Sequence, residues 1–72
     1  MIKASFSYPQ TFLSIARQYG MPPVSYAGEY DSWEDAFDVA RKLAEKHNAP
    51  IMVKGYGMEK VFFPSGIQFK EA

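Results

Sequence analysis

The sequence predicts an α+β domain in which a small, twisted, mostly antiparallel sheet carries helices on one face. The first observation is the segment 32–48, whose apolar residues recur at the three- and four-residue spacing of one helix face. The second is a set of short segments in which apolar and polar residues alternate, as they do in half-buried strands. The third is the turn chemistry of Pro and Gly between these segments. Together they predict the order β-α-β-α-β-β-β.

The composition indicates one compact domain, 1–72, near the size at which a single core becomes marginal. The chain has no cysteine, so neither a disulfide nor a thiolate metal site can help it fold. Aromatic residues make up 17% of the chain, and large buried rings compensate for the small core. Association into a homodimer is another route to stability.

The charge and hydropathy patterns set limits on the partners. A net charge of zero argues against an unspecific nucleic-acid binder. The sequence has neither an apolar run of about 18 residues nor a signal-peptide pattern, so we expect no membrane partner. Because strand-like sequence begins at Ile2, we expect a small, complete, cytoplasmic gene product.

The long amphipathic helix is predicted over 32–48, and both of its ends carry boundary signals. Asp31 or Ser32 can accept the free N–H groups of the first turn, and either choice places an acid three residues later, as in a capping box. Asn48 can adopt the left-handed conformation that ends a helix, and Pro50 cannot continue one.

A shorter helix is predicted over 9–19, with Ser7 as its N-terminal cap and Gly20 as its stop. Pro64 to Gly66 and the region 55–58 are predicted turns. The predicted strands are, in order, 2–7, 24–30, 51–54, 60–63 and a closing strand, 67–70.

Alternation along these strands predicts two different sheet faces. The face toward the helices is expected to hold Ile2, Phe6, Val24, Tyr26, Tyr30, Ile51, Val53, Val61, Phe63, Ile67 and Phe69. The other face is expected to be open to water and to hold Lys3, Ser5, Ser25, Met52, Lys54, Tyr56, Lys60, Phe62, Gln68 and Lys70.

An acidic and aromatic group around the start of the long helix is the first candidate site. Acids in a first helical turn complement the helix dipole, and this alone explains some of them. The functional interpretation is a negative patch that binds a partner protein with a basic surface, with aromatic side chains as anchors. The spacing matches no calcium loop, so no metal site is expected. The candidate partner-binding residues are Glu29, Tyr30, Asp31, Trp33, Glu34, Asp35 and Asp38.

The open sheet face is the alternative site. Aromatic rings flanked by lysines on a sheet can stack the bases of single-stranded nucleic acid. Lysine stems on an ordinary solvated face explain the same pattern, and pairing with a second copy would bury its centre. The candidate residues of this alternative are Lys54, Tyr56, Lys60 and Phe62.

No residue pattern indicates catalysis or a cofactor. His47 is the only histidine and lies at a predicted helix C-terminus, where a positive charge is favoured, so we interpret it as structural. Gly55 and Gly57 lack the third glycine of a dinucleotide-binding fingerprint. We therefore expect a protein that is not an enzyme and that binds no cofactor.

One further pattern covers roughly the C-terminal half of the chain. It consists of Asp31-Ser32, Ala36, Ala40-Arg41, Leu43-Ala44, Ala49-Pro50-Ile51, Val53 and Phe63-Pro64-Ser65-Gly66. This pattern resembles small β-α-β-β proteins of bacteria and phages. In size, α+β make-up and acidic patch, the chain is similar to phage-encoded anti-defence proteins, including anti-CRISPR proteins. That group has no common motif, so the resemblance assigns no residue a role. It implies stoichiometric inhibition of a host defence protein that holds nucleic acid.

Overall fold

A computed structural model describes residues 1–64 and has the predicted α+β architecture. The predicted closing strand, 67–70, lies outside the described residues. The elements are, in chain order, β1 (Ile2–Ser7), α1 (Gln10–Gln18), β2 (Ser25–Tyr30), α2 (Trp33–His47), β3 (Ile51–Gly55) and β4 (Met58–Phe62).

The strands form one antiparallel sheet in the order β2-β1-β3-β4. β1 pairs with β2 over its whole length, from Ile2 opposite Tyr30 to Ser7 opposite Ser25. Its other side pairs with β3 only near its end, from Ser5 to Ser7. Among the described strands, β2 and β4 are therefore the edges.

Both predicted ends of α2 are confirmed. The Ser32 hydroxyl accepts a hydrogen bond of 3.3 Å from the Asp35 backbone N–H, so Ser32 is the cap. Asn48 ends the helix in the left-handed conformation, with φ 51° and ψ 47°.

α2 covers one face of the sheet through its smallest side chains. Ala36, Ala40 and Ala44 recur every fourth residue, and all three are fully buried. Because alanine has only a methyl group, the helix axis can lie close to the strands. Larger side chains fill the core around this stripe, and Phe6, Ile51 and Val53 are the largest fully buried ones.

The start of α1 differs from the prediction. Ser7 is not its cap, because Ser7 is the last residue of β1 and is paired on both sides. Pro9 occupies the cap position, and its side chain makes no hydrogen bond there because the proline ring has no oxygen that could accept one from the first turn. Gly20 follows the helix with φ 66°, as its predicted role as a stop requires. α1 joins the same core through the buried Ala16.

The prediction for the two faces of β4 is wrong. Ile51 lies opposite Phe62 and Val53 lies opposite Lys60, so Lys60 and Phe62 share the helix face with the core of β3. Val61 lies opposite Met52 on the open face instead. The β3–β4 turn contains only two residues, and a shift of one residue in a hairpin moves every following side chain to the other face.

Candidate functional site

An acidic groove lies between the end of β2 and the side of α2 that faces this edge of the sheet. Its volume is about 380 Å³. It contains five of the seven residues predicted for partner binding, together with Met1, Val39 and Lys42. The lining residues are Met1, Glu29, Tyr30, Asp31, Asp35, Asp38, Val39 and Lys42.

The acids of this groove differ in how they are balanced by cations. Glu29 is paired with Lys3 across the β1–β2 ladder, at 4.0 Å between carboxylate and ammonium. Asp38 accepts a hydrogen bond from Arg41, three residues later on α2. Within residues 1–64, the carboxylates of Asp31 and Asp35 make no ion pair.

Both existing ion pairs are more than half exposed, so each contributes little to stability. Exposed pairs of this kind can exchange partners at little cost. Glu29 lies opposite Lys3, so its carboxylate points to the open sheet face. The groove can therefore present the carboxylates of Asp31, Asp35 and Asp38 to a cationic ligand that replaces Arg41.

Tyr30 forms the aromatic wall of the groove. Its ring meets Phe6 edge to face at 6.0 Å between ring centroids. Burial raises the pKa of Tyr30, and the neighbouring Tyr26 raises it further through its charge and a side-chain hydrogen bond. The hydroxyl end of the ring can lie against the backbone of β2 because residue 28 is glycine: a Cβ there would be 2.6 Å from the Tyr30 hydroxyl.

We expect Gly28→Ala to displace the Tyr30 ring while leaving the sheet intact. The new methyl group meets the far end of a flexible side chain rather than backbone, so the free energy of unfolding should change by no more than about 1 kcal/mol. The ring should become more exposed, which lowers the pKa of Tyr30 toward its ordinary value. NMR titration of the ring carbons measures this shift. Ala27→Ser is the matched control, and equal titration of both variants would contradict the role of Gly28.

Two predicted partner-binding residues lie outside the groove. Trp33 is half-buried. It stacks on Phe37 with 5.9 Å between ring centroids and meets Tyr56 edge to face with 6.2 Å between centroids. Through its contact with Tyr56, the Trp33 ring packs the start of α2 against the β3–β4 hairpin. Glu34 is exposed on α2 but does not line the groove.

The four residues of the alternative site do not share one surface. Lys54 lies on the open face, opposite Glu59, and its ammonium is 3.6 Å from that carboxylate. Lys60 and Phe62 lie on the helix face, because their strand has the opposite orientation to the one predicted. Tyr56 lies in the turn, and its hydroxyl accepts a hydrogen bond of 3.3 Å from the Lys3 backbone N–H.

A cationic-aromatic cluster instead forms on the β4 side of α2. Phe37 and Phe62 lie 5.2 Å apart. The Lys60 ammonium lies 5.0 Å from the Phe37 ring centre, and the Arg41 guanidinium lies 5.3 Å from that of Phe62. These distances are within the range of cation–π attraction, so both cations already have aromatic partners.

Sequence reasoning did not single out Val39 and Lys42 as groove residues. Helical spacing contained the signal, because Lys42 is four residues after Asp38 and Val39 is four after Asp35. Val39 is an apolar residue among the polar residues of this side of α2. It places an apolar surface inside the groove.

Two other kinds of site are absent from the described part of the chain. Residues 1–64 contain no group of three or more His, Asp or Glu side chains placed to hold a metal ion. Neither helix described is long and apolar enough to cross a membrane. His47 packs edge to face against Tyr8, at 6.3 Å between ring centroids.

Comparison with protein-family models, with curated proteins and with solved structures gives no match.

Proposed function

We propose that this protein is a non-enzymatic binding module that attaches to a partner protein with a basic surface. Its contact surface is the acidic groove with Tyr30 as the aromatic anchor, flanked by Trp33 and Glu34. In the host bacterial cytoplasm, such a module acts as a stoichiometric inhibitor of a defence nucleoprotein, as anti-CRISPR proteins do.

The observation that carries this proposal is the convergence of Asp31, Asp35 and Asp38 on one groove beside an aromatic wall. Asp35 and Asp38 lie on one side of α2, while Asp31 is in the connection from β2. Two of the three carboxylates make no ion pair within residues 1–64. Lysine and arginine side chains of a partner would complete these pairs, and the same charges would steer its approach.

Neutralising the groove tests the proposal. We expect the double substitution Asp35→Asn, Asp38→Asn to weaken binding of the partner by at least about tenfold. The free energy of unfolding should change little, since Asp35 in the first turn of α2 contributes only about 0.3–1 kcal/mol to the helix. The exposed pair of Asp38 with Arg41 contributes only about 0–1 kcal/mol. The measurement is a tagged pull-down from candidate host lysate with and without nuclease treatment, followed by titration of the purified partner at two salt concentrations.

Glu59→Gln is the matched control, because it removes a similarly exposed carboxylate from the opposite sheet face. Unchanged affinity of the double variant would refute the groove as the contact surface. Binding that disappears on nuclease treatment would support the nucleic-acid alternative, with Lys60 and Phe62 as its candidates.

A further inference from the structure

We propose that the partner binds as an extended strand added to the outer edge of β2, with basic side chains entering the acidic groove. This inference rests on the proposed function, and it adds the conformation and side-chain pattern of the segment recognised. Strand addition of this kind combines main-chain hydrogen bonds with alternating side-chain contacts.

The outer edge of β2 offers a row of backbone groups. Lys3 directs its backbone N–H to the Tyr56 hydroxyl on the β3 side, away from β2. Neighbouring residues of an antiparallel strand direct their backbone groups to opposite sides, so Lys3 and Glu29 form a pair without mutual hydrogen bonds. Ser25, Ala27 and Glu29 therefore direct their N–H and C=O groups outward. In the described part of the chain, no strand pairs with them.

This edge also lacks the features with which sheet edges usually prevent pairing. Edge strands are commonly protected by lysines, prolines, bulges or very short length. β2 has six residues with an uninterrupted register, contains neither Lys nor Pro, and carries one charged residue, Glu29. β4, at the other edge, contains Lys60 and Glu59 and is one residue shorter. The contrast indicates that β2 is the edge open to a partner.

The two sides of an added strand would meet different surfaces. Side chains opposite Gly28 and Tyr30 would point to the helix side, where Asp35 and Asp38 line the groove. Alternate side chains would point to the open face, into a hollow of about 440 Å³ lined by Ala27, Ser5 and their neighbours. A segment that alternates Lys or Arg with small apolar residues fits both sides. A second copy of this chain fits less well, because its own acidic groove would approach this one.

The experiment uses the full chain and a labelled heptapeptide of alternating Lys and Val as the probe. A second peptide has the same sequence with every backbone nitrogen methylated, which preserves its charge and removes the strand donors of both of its edges. The protein variant is Ala27→Pro, because proline is tolerated in an edge strand where the N–H faces outward. Ala27→Ser is its control. Fluorescence anisotropy measures affinity, and thermal unfolding measures stability.

We expect the wild type and Ala27→Ser to bind the alternating peptide equally. The methylated peptide and Ala27→Pro should each reduce affinity by at least about tenfold. Equal affinity for the two peptides, or no binding of the alternating peptide, would overturn strand addition. If Ala27→Pro unfolds at a lower temperature than the wild type, the affinities of the wild type for the two peptides are the test of strand addition. A wild-type dimer that Ala27→Pro dissociates in sedimentation would assign the edge to a second copy and also overturn the proposal.

Binding of the partner captured from host lysate distinguishes failure of this inference from failure of the proposed function. Loss of that partner in Asp35→Asn, Asp38→Asn together with its retention by Ala27→Pro would preserve the function and exclude the strand mode. Retention by the double variant would instead exclude the function itself.

Discussion

Phe6→Ala is expected to bring the domain close to unfolding at room temperature. Phe6 is 1% exposed, and its ring packs against those of Tyr26 and Tyr30, with 5.7 and 6.0 Å between ring centroids. Removing such a ring from a core costs about 3–5 kcal/mol. A domain of this length has a total stability of only about 4–11 kcal/mol. The melting temperature, measured by circular dichroism, should fall by at least about 12 °C.

Phe6→Leu is the control, because it keeps an apolar side chain at this position. We expect it to lose clearly less stability than Phe6→Ala. Equal melting temperatures for the wild type and Phe6→Ala would show that this ring does not organise the core. The alanine variant should also release Tyr30, which links the groove to the core.

Gly55→Ala is expected to destabilise the domain by about 3 kcal/mol, the upper end of the usual range for overpacking. A Cβ at this position would lie 2.6 Å from the Lys3 backbone oxygen and 3.2 Å from the Trp33 ring. Because the nearest atom belongs to the backbone of β1, the strain cannot be relieved by rotating a side chain. β1 and β3 must move apart where α2 begins. Urea unfolding followed by tryptophan fluorescence measures both the stability and the environment of Trp33.

Gly20→Ala is the matched control for this prediction. Gly20 has φ 66° and no atom within 4 Å of an added Cβ, so only its backbone conformation opposes alanine. We expect a loss of about 1 kcal/mol there. A loss at Gly55 no larger than that at Gly20 would show that the sheet accommodates the methyl group.

Local signals predicted the helices and the number of described strands. Ser32 and Asn48 have the side chains that helix ends need, and these preferences act over a few residues without tertiary context. The long helix therefore begins and ends within one residue of its predicted bounds. Ser7 has the same capping chemistry as Ser32. It does not cap α1 because it is part of β1, where it is paired with β2 on one side and β3 on the other.

The register of β4 could not be predicted from alternation alone. Val61, Phe62 and Phe63 are consecutive apolar residues, so either phase of alternation places one or two of them inward. The orientation of β4 is set by the turn, where Tyr56 and Gly57 both have positive φ, 52° and 79°, as a two-residue hairpin turn of type I′ requires. Tyrosine rarely adopts this conformation, so the sequence carried no clear sign of so short a turn.

The candidate site was predictable in its chemistry but not in its shape. Helical spacing predicted that Asp35 and Asp38 share a side of α2. The position of β2 at the edge beside them follows from the strand order, and no local pattern specifies that order. Trp33 was predicted as an anchor from its residue type, whereas its position depends on the hairpin that packs against it.

The opposite sides of α2 give this electrically neutral protein a dipole moment across its width. Asp31, Asp35 and Asp38 line the β2 side together with Lys42, so the lining of the groove is negative on balance. Lys60 lies on the β4 side, and Arg41 bridges the two sides, since it bonds to Asp38 and lies over the Phe62 ring. A neutral body feels almost no net force in a distant charged partner's field, but a dipole feels a torque. The protein would therefore rotate before contact so that its acidic side leads toward a cationic surface. Added salt would reduce the fraction of productive collisions, and the association rate would fall more than the dissociation rate rises.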